Sequence, residues 1–586
     1  MSNRLTNALA FAILALMLIL AFYSMKVDSL TFDELAHIPA GYSYLTQKDY
    51  RINPEHPPLV KDLAAIPLLF LDLKFPKDNP AWTQDNAAPA WWVQFDLGTE
   101  FIYRSGNDPR DIILYSRIPM ILLLLLLGWK IFFWAKQMGG NYVGLAALSL
   151  FAFSPTFLAH GRLVTTDVGA ALGVVVSTYL WLAFLKDPSK KNIFLAGLAF
   201  GLAMLLKFSL ILLIPFFGIL TIIYPLIQSN KDKFKNLALY LFKAVIAGLI
   251  GLILVIWPVY QFHVSNYPVE RQIRDTAADL APNKVPILKN LTLSMAKNPL
   301  LRPLAQYFRG VLMAMQRTSF GNTVFFLGKI SASGWKYYFP IIYLLKEPLP
   351  FHLMTLFVII GMIFLIRKKV WNLANWIREN FTVFSLLLFL GIYWSTAILG
   401  KLNIGVRHIL PTFPFIYLLV ALGLKTVIKQ LAEKKQRMAL AITFVLFFWL
   451  FISALLTFPH YISYFNELAG GTKNGYKYAV DSNYDWGQDF YRLMAFIEEK
   501  KIDKIYIDYF GGENIEYWLG DKYIKLDPKQ IKEPPKGWIA VSLNQFMGGV
   551  AEPVPGFDQE IGYYQWLNQY QPVERIGYSI LIYHID

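Results

Sequence analysis

Residues 9–34 read LAFAILALMLILAFYSMKVDSLTFDE: an unbroken apolar run from Leu9 to Phe22, and a few residues later the acidic pair Asp33-Glu34. A hydrocarbon core of about 30 Å needs roughly 20 helical residues to cross it, and a first span near 8–25 meets that length. Arg4 precedes the run as in a signal peptide, but no small-residue cleavage pattern follows, so the segment is expected to stay as an anchor. Beyond the acidic pair a stretch rich in Trp, Pro and Asp continues to about Arg110 and carries Pro54-Glu55-His56-Pro57-Pro58. It is too long for a connector and reads as a functional loop held at a membrane surface.

The rest of the chain extends the pattern. With 55% hydrophobic and only 16% charged residues, the 586-residue chain does not have the composition of an ordinary soluble domain. Further apolar segments fall near 112–135, 141–159, 164–185, 193–206, 208–228, 237–262, 337–366, 381–399, 406–424 and 438–458. The expected fold class is therefore a polytopic α-helical membrane protein of about eleven spans. Alternate loops collect cations: Lys186, Lys190 and Lys191; Lys231, Lys233 and Lys235; Arg367, Lys368, Lys369 and Arg378; then Lys425, Lys429, Lys434, Lys435 and Arg437. By the positive-inside bias these loops are cytoplasmic, the Asp33 loop and the C-terminal tail are outside, and the N-terminus is inside. The same bias accounts for most of the net charge of +15 without a nucleic-acid partner.

Three regions are then external: the first loop (about 26–111), a second loop (about 263–336) and a tail domain at 460–586, with the membrane module at 1–459. In the tail, Asp485 to Lys501 reads as an amphipathic helix, and Lys504 to Phe510, Trp538 to Phe546 and Tyr578 to His584 read as strands, so a small α/β unit is expected. Gly470-Gly471 and Gly511-Gly512 are turn signals and lack the strand–loop–helix context of a nucleotide site. No cysteine is present, which excludes disulfides and thiolate metal sites. Arg271, Arg274, Lys284, Lys289, Arg302, Arg309 and Arg317 give the second loop a basic surface, either facing lipid headgroups or gating a phosphate-bearing substrate.

His160, Arg162, Asp167, Lys207, Arg407 and His408 all fall at expected outer ends of spans, on the face that holds Asp33, Glu34, Glu55 and His56. Ionisable groups at such depths are costly and are functional candidates by default. The bland alternative for Lys207 and Arg407 is snorkelling to the interface, and for Asp33 it is capping the helix that starts at Glu34.

Several motifs carry a family resemblance. Phe32-Asp33-Glu34 followed by Asn53-Pro54-Glu55-His56-Pro57-Pro58-Leu59 resembles the first external loop of polyprenyl-phosphate-dependent glycosyltransferases of the GT-C superfamily, in the protein O-mannosyltransferase and aminoarabinose (lipid A) transferase branch. Ala159 to Asp167, Gly201 to Ser209 and Val406 to Pro411 resemble further segments of that branch, with His408 where Tyr is common. Asp481 to Asp489 resembles a segment opening the outer domain of some bacterial members. The resemblance implies a GT-C-like membrane fold and transfer of a sugar from a polyprenyl-phosphate donor to a hydroxyl acceptor: a protein, a glycolipid or a polysaccharide. It also implies that Asp33 is the general base. Such a transfer needs a base for the acceptor hydroxyl and cations for the departing phosphate. On that reading Lys207 and Arg407 take the phosphate, with Arg suited to bidentate contact. Glu55 and His56 bind sugar or phosphate, and Arg162 and His408 join the substrate site. Glu34 is open to orienting the acceptor or a metal, and Asp167 to holding a cation in place or supporting a divalent ion. The second loop has nothing resembling the repeat-bearing insertion of eukaryotic protein mannosyltransferases, which points to a bacterial inner-membrane enzyme. Two other classes compete. A flippase of lipid-linked sugars would place charges at midplane and show internal repeats, whereas here they gather at one face without a repeat. A scaffold would explain the tail but not the charges.

Overall fold

The computed structural model describes residues 1–83, 90–228, 232–283, 285–367, 372–531 and 533–586. Lys231, Lys284, Lys368 and Lys369 of the charge pattern lie outside the described residues. Among those described, nine helices are long and apolar enough to cross a membrane: Asn3–Lys26, Pro109–Gly139, Thr166–Lys186, Phe208–Gln228, Lys233–His263, Leu349–Arg367, Phe381–Leu399, Val406–Lys429 and Glu433–Thr457. The chain is a polytopic helical membrane protein.

The expected count of eleven departs from nine at segments that form shorter helices. The expected span 141–159 breaks into Asn141–Ala152 and Pro155–His160, because Pro155 cannot continue the preceding hydrogen-bond ladder and Ser154 caps the second piece. The expected span 193–206 is the 15-residue helix Lys190–Met204. Prolines at 348 and 350 likewise divide 337–366 into Tyr338–Lys346 and Leu349–Arg367. That break leaves Lys346 and Glu347 in the interior, where Lys346 Nζ donates to the carbonyls of Ile462, Tyr464 and Asn483. Ser154 Oγ and Tyr417 OH donate to Glu347.

Burial separates the centre of the bundle from its rim. Thr166–Lys186 and Val406–Lys429 are each 72% buried over their most apolar window, while Glu433–Thr457 is 17% buried and shows Leu440, Phe444 and Phe448 outward, as lipid-facing helices do. The two central helices begin at Thr166 and Val406, so both deliver their N-terminal polar residues to the same end.

Among the described residues eight strands complete the fold: β1 (Val324–Phe326), β2 (Lys329–Ser331), β3 (Ile505–Asp508), β4 (Tyr523–Lys525), β5 (Gly537–Ser542), β6 (Glu552–Pro553), β7 (Glu574–Ile576) and β8 (Ile580–Ile585). The tail sheet has the order β4-β3-β5-β8-β7, parallel from β4 through β5 and antiparallel beyond, with Ile507 opposite Ala540 and Ala540 opposite Ile582. The helix Phe490–Glu499 covers it. The run expected as a strand from Trp538 to Phe546 turns helical at Leu543, where Leu543–Val550 begins. β1, β2 and β6 form a second small sheet, in which the tail strand β6 pairs with the second-loop strand β2.

The second loop also holds the helices Val269–Asp279, Pro286–Ala296 and Arg302–Phe320. Much of its basic surface is consumed internally: Arg309 pairs with Asp279, Arg271 lies 3.5 Å from Asp275, and Arg302 Nε donates to Gln272.

Candidate active site

The first loop turns sharply between Asp28 and Glu34, and a single buried arginine sets the turn. Arg117, inside the helix Pro109–Gly139, donates through Nη1 to the carbonyls of Met25 and Asp28, and through Nη2 to Ser29 O and Glu34 Oε2. Its Nε donates to Glu34 Oε1 at 2.8 Å. Thr31 N, Thr31 Oγ1 and Val164 N also donate to the Glu34 carboxylate, which is fully buried. Burial pushes the Glu34 carboxyl up, but Arg117 and the two backbone N–H groups more than reverse this and hold it below the usual glutamate value. Its acceptor capacity is spent inside the fold, which leaves no room for the acceptor or metal contact expected of it.

Asp33 points the opposite way. It makes no side-chain cap bond, so capping is not its role. Its Oδ2 accepts from Arg407 Nη1 at 2.8 Å, and the side chain retains 20% exposure to a cleft. Arg407 Nη1 lies 3.5 Å from Asp167 Oδ2, and Lys207 Nζ donates to Asp167 Oδ1. The result is a row of alternating charge, Asp33, Arg407, Asp167, Lys207. Asp167 is completely buried behind the two cations and orients both of them. Burial raises the Asp33 carboxyl, while the guanidinium groups of Arg407 and then Arg317 lower it further, so it stays ionised at neutral pH.

The remaining cleft walls come from several elements. His37, one turn along the helix that follows Asp33, donates through Nδ1 to Val164 O, and its ring meets that of His56 edge-on with centroids 5.0 Å apart. Burial lowers the affinity of both imidazoles for a proton and keeps them neutral. Glu55 accepts from Arg317 Nη1 at 3.1 Å, and the Arg317 guanidinium lies 4.2 Å from the centre of the Trp91 ring. Burial outweighs Arg317 and holds the Glu55 carboxyl above the usual value. His408 also lines the cleft, and its buried Nε2 has no hydrogen-bond partner among the described residues.

An apolar groove opens beside the cleft and shares Phe208, Ser209, Ala314, Thr318, Leu402 and His408 with it. The groove continues over Ile211, Leu212, Phe339 and Tyr393, which belong to or adjoin membrane helices.

Asp33, Glu55, His56, Lys207, Arg407 and His408 therefore share one cleft, with Asp167 directly behind it. Arg162 does not reach it: its guanidinium is 2.6 Å from Asp28 and its Nε donates to Leu158 O, in a buried junction that Arg492 of the tail completes through Asp28 at 2.9 Å. His160 is also buried away from the cleft, its ring 5.9 Å from that of Trp486. Sequence reasoning missed Arg117, Trp91, Gln94, Ser482 and Trp486. A lone arginine within the apolar span 112–135 was the one legible signal, and it marked Arg117. Among the described residues no cluster of three or more His, Asp or Glu side chains is placed to hold a metal ion. Glu34 and Asp167 both face cations, so neither fits the ligand set of a divalent ion.

Residues 112–257 match the family model described as dolichyl-phosphate-mannose-protein mannosyltransferase. No curated protein sequence matches the chain. Similar solved structures include the oligosaccharyltransferase of Archaeoglobus fulgidus, at 12% identity and a TM-score of 0.48 over 93% of this chain and 71% of that one. ArnT from Cupriavidus metallidurans bound to undecaprenyl phosphate is similar at 11% identity and a TM-score of 0.47, over 98% and 97% of the two chains. The S. cerevisiae Pmt1-Pmt2 complex bound to its sugar donor shows 19% identity and a TM-score of 0.34 over 45% of this chain and 34% of that one.

Proposed function

We propose that the chain is an inverting glycosyltransferase that moves a sugar from a polyprenyl-phosphate donor to a hydroxyl acceptor on the extracytoplasmic face of the bacterial inner membrane. The observation that carries this reading is the Asp33 carboxylate, set 2.8 Å from Arg407 in a cleft that also holds Lys207 and merges with an apolar groove. The groove suits a prenyl chain entering from the bilayer, and its junction with the cleft is where the phosphate sits. Arg407 and Lys207 supply positive charge there, and His408 Nε2 is free to contact the phosphate or the sugar.

Asp33 takes the proton of the acceptor hydroxyl as the acceptor oxygen bonds to the anomeric carbon. The bond from that carbon to the phosphate oxygen breaks, and its electron pair leaves with polyprenyl phosphate, whose charge Arg407 and Lys207 stabilise. Attack opposite the departing phosphate inverts the anomeric centre, with no covalent enzyme intermediate. Glu55, with Arg317 and Trp91, forms the wall where sugar or acceptor hydroxyls bind. The family match over 112–257 supports glycosyl transfer as the class of reaction.

The test uses purified protein with a labelled polyprenyl-phosphate sugar and measures release of free polyprenyl phosphate in the presence of candidate acceptors. Release that depends on Asp33 supports the reading. Movement of the intact donor across a vesicle membrane without release supports a flippase instead.

A further inference from the structure

Behind the Asp33–Arg407 pair lies a strap from the tail, Asp481 to Asp489, whose residues 482–489 are all buried. Two of its side chains hold Arg407. Ser482 Oγ accepts from Arg407 Nε at 3.2 Å and donates to Ile404 O, while the Trp486 ring lies beneath the guanidinium at 4.4 Å. Pinned at Nε and on one face, the guanidinium presents its outer edge to Asp33, Asp167 and the cleft. The backbone just before Arg407 is held as well, since Val406 N donates to Asn483 Oδ1 at 2.9 Å.

The same strap holds the turn that carries Asp33. Phe32 N donates to Trp486 O at 3.2 Å, Ser29 N to Gln488 O at 3.1 Å and Ser29 Oγ to Gly487 O at 2.7 Å. Phe32 stacks on Phe510 of the tail with centroids 5.2 Å apart, and Leu30 N donates to Glu513 Oε1 at 2.7 Å. The strap is rigid. Lys346 Nζ donates to Asn483 O, and Gly487 has φ +95° where a side chain would collide with Gly511.

We propose that the tail is a working part of the active site: through Ser482, Trp486 and Phe510 it positions both Arg407 and the Asp33 turn, and so sets the distance between the general base and the cation that receives the phosphate. This rests on the glycosyl-transfer reading of the cleft. A tail that only recruits acceptor would leave the donor step indifferent to these side chains.

The experiment compares full-length wild type with Ser482→Ala, Trp486→Leu, Trp486→Phe, Arg407→Ala and the Ser482→Ala/Arg407→Ala double variant. It reads donor KM and kcat for polyprenyl phosphate release, together with hydrogen exchange over 28–34 and 404–409. Loss of one hydrogen bond to a charged group corresponds to about a tenfold effect or more. Ser482→Ala and Trp486→Leu are expected to raise donor KM by about that factor at an unchanged acceptor KM, while Trp486→Phe, which keeps an aromatic face for the cation, stays within about threefold. Ser482→Ala is expected to add nothing in the Arg407→Ala background, because it acts through that residue. Unchanged donor kinetics in folded Ser482→Ala and Trp486→Leu, or full additivity in the double variant, would overturn the proposal. If wild type releases no polyprenyl phosphate, the transfer reading fails by itself, and exchange then decides positioning. Trp486→Leu must lose protection at 28–34 and 404–409, and unchanged protection counts against the strap's role.

Discussion

Asp33 and Arg407 stand 374 residues apart in the chain and share a 2.8 Å hydrogen bond at the mouth of the cleft. The pairing joins the turn after the first span to the start of a central one, and it keeps a carboxylate ionised next to the cation proposed to meet the phosphate. Removing Arg407 deprives Asp33 of its ion-pair partner and, on the proposed mechanism, also strips the phosphate site. Arg407→Ala is expected to raise donor KM by about tenfold to a hundredfold, on a loss of roughly 1.5–3 kcal/mol per charge-assisted contact. Arg407→Lys is expected to recover only part, because an ammonium cannot bridge Asp33, Ser482 and a phosphate at once. Donor titration of the two variants checks this, and wild-type affinity in Arg407→Ala removes the residue from the phosphate site.

Glu34 and Asp33 are neighbours with opposite jobs. Glu34→Gln leaves the Arg117 guanidinium buried without its carboxylate, a loss on the order of 3–5 kcal/mol. The variant is expected to express poorly or to melt well below wild type. Substituting Arg117 as well, in Glu34→Gln/Arg117→Met, restores part of that stability. Thermal unfolding in detergent measures both, and a Glu34→Gln variant as stable as wild type would contradict the structural role.

How much of this was legible in the chain divides along physical lines. Apolar length and cation-rich loops announced the membrane fold, yet prolines at 155 and 348 cut two expected spans, since a ring without an N–H interrupts the helix ladder wherever it falls. Charges at the outer ends of spans marked Asp33, Asp167, Lys207, Arg407 and His408, which do converge. The same rule also marked Glu34 and Arg162, which meet Arg117 and Asp28 inside the protein. A one-dimensional pattern gives the depth of a charge and not its partner. Ser482 and Trp486 were out of reach for a related reason: ordinary residue types, they matter only because the tail folds back over 404–407.

Asp485 of the strap gives a pH signature. Burial, reinforced by Asp489, pushes its carboxyl up to about 8, whereas in the unfolded chain it titrates near 3.8. Between those values the folded state holds a proton that the unfolded state has lost, so stability falls as pH rises from about 4 to 8. Asp485→Asn removes this contribution. The variant is expected to lose less thermal stability than wild type between pH 6 and pH 8, and identical slopes would show that Asp485 is already ionised at pH 6.

Asp33 is held below the usual carboxylate value of 3.8, so release of polyprenyl phosphate is expected to stay level from pH 7 down to pH 5 as far as this group is concerned. The decisive measurement is single-turnover release of polyprenyl phosphate from a labelled donor by Asp33→Asn, with folding checked by thermal unfolding. The expected result is a folded, membrane-inserted protein that binds donor and turns it over about a hundredfold more slowly or worse, in line with loss of a general base. Turnover by Asp33→Asn at the wild-type rate would contradict the account.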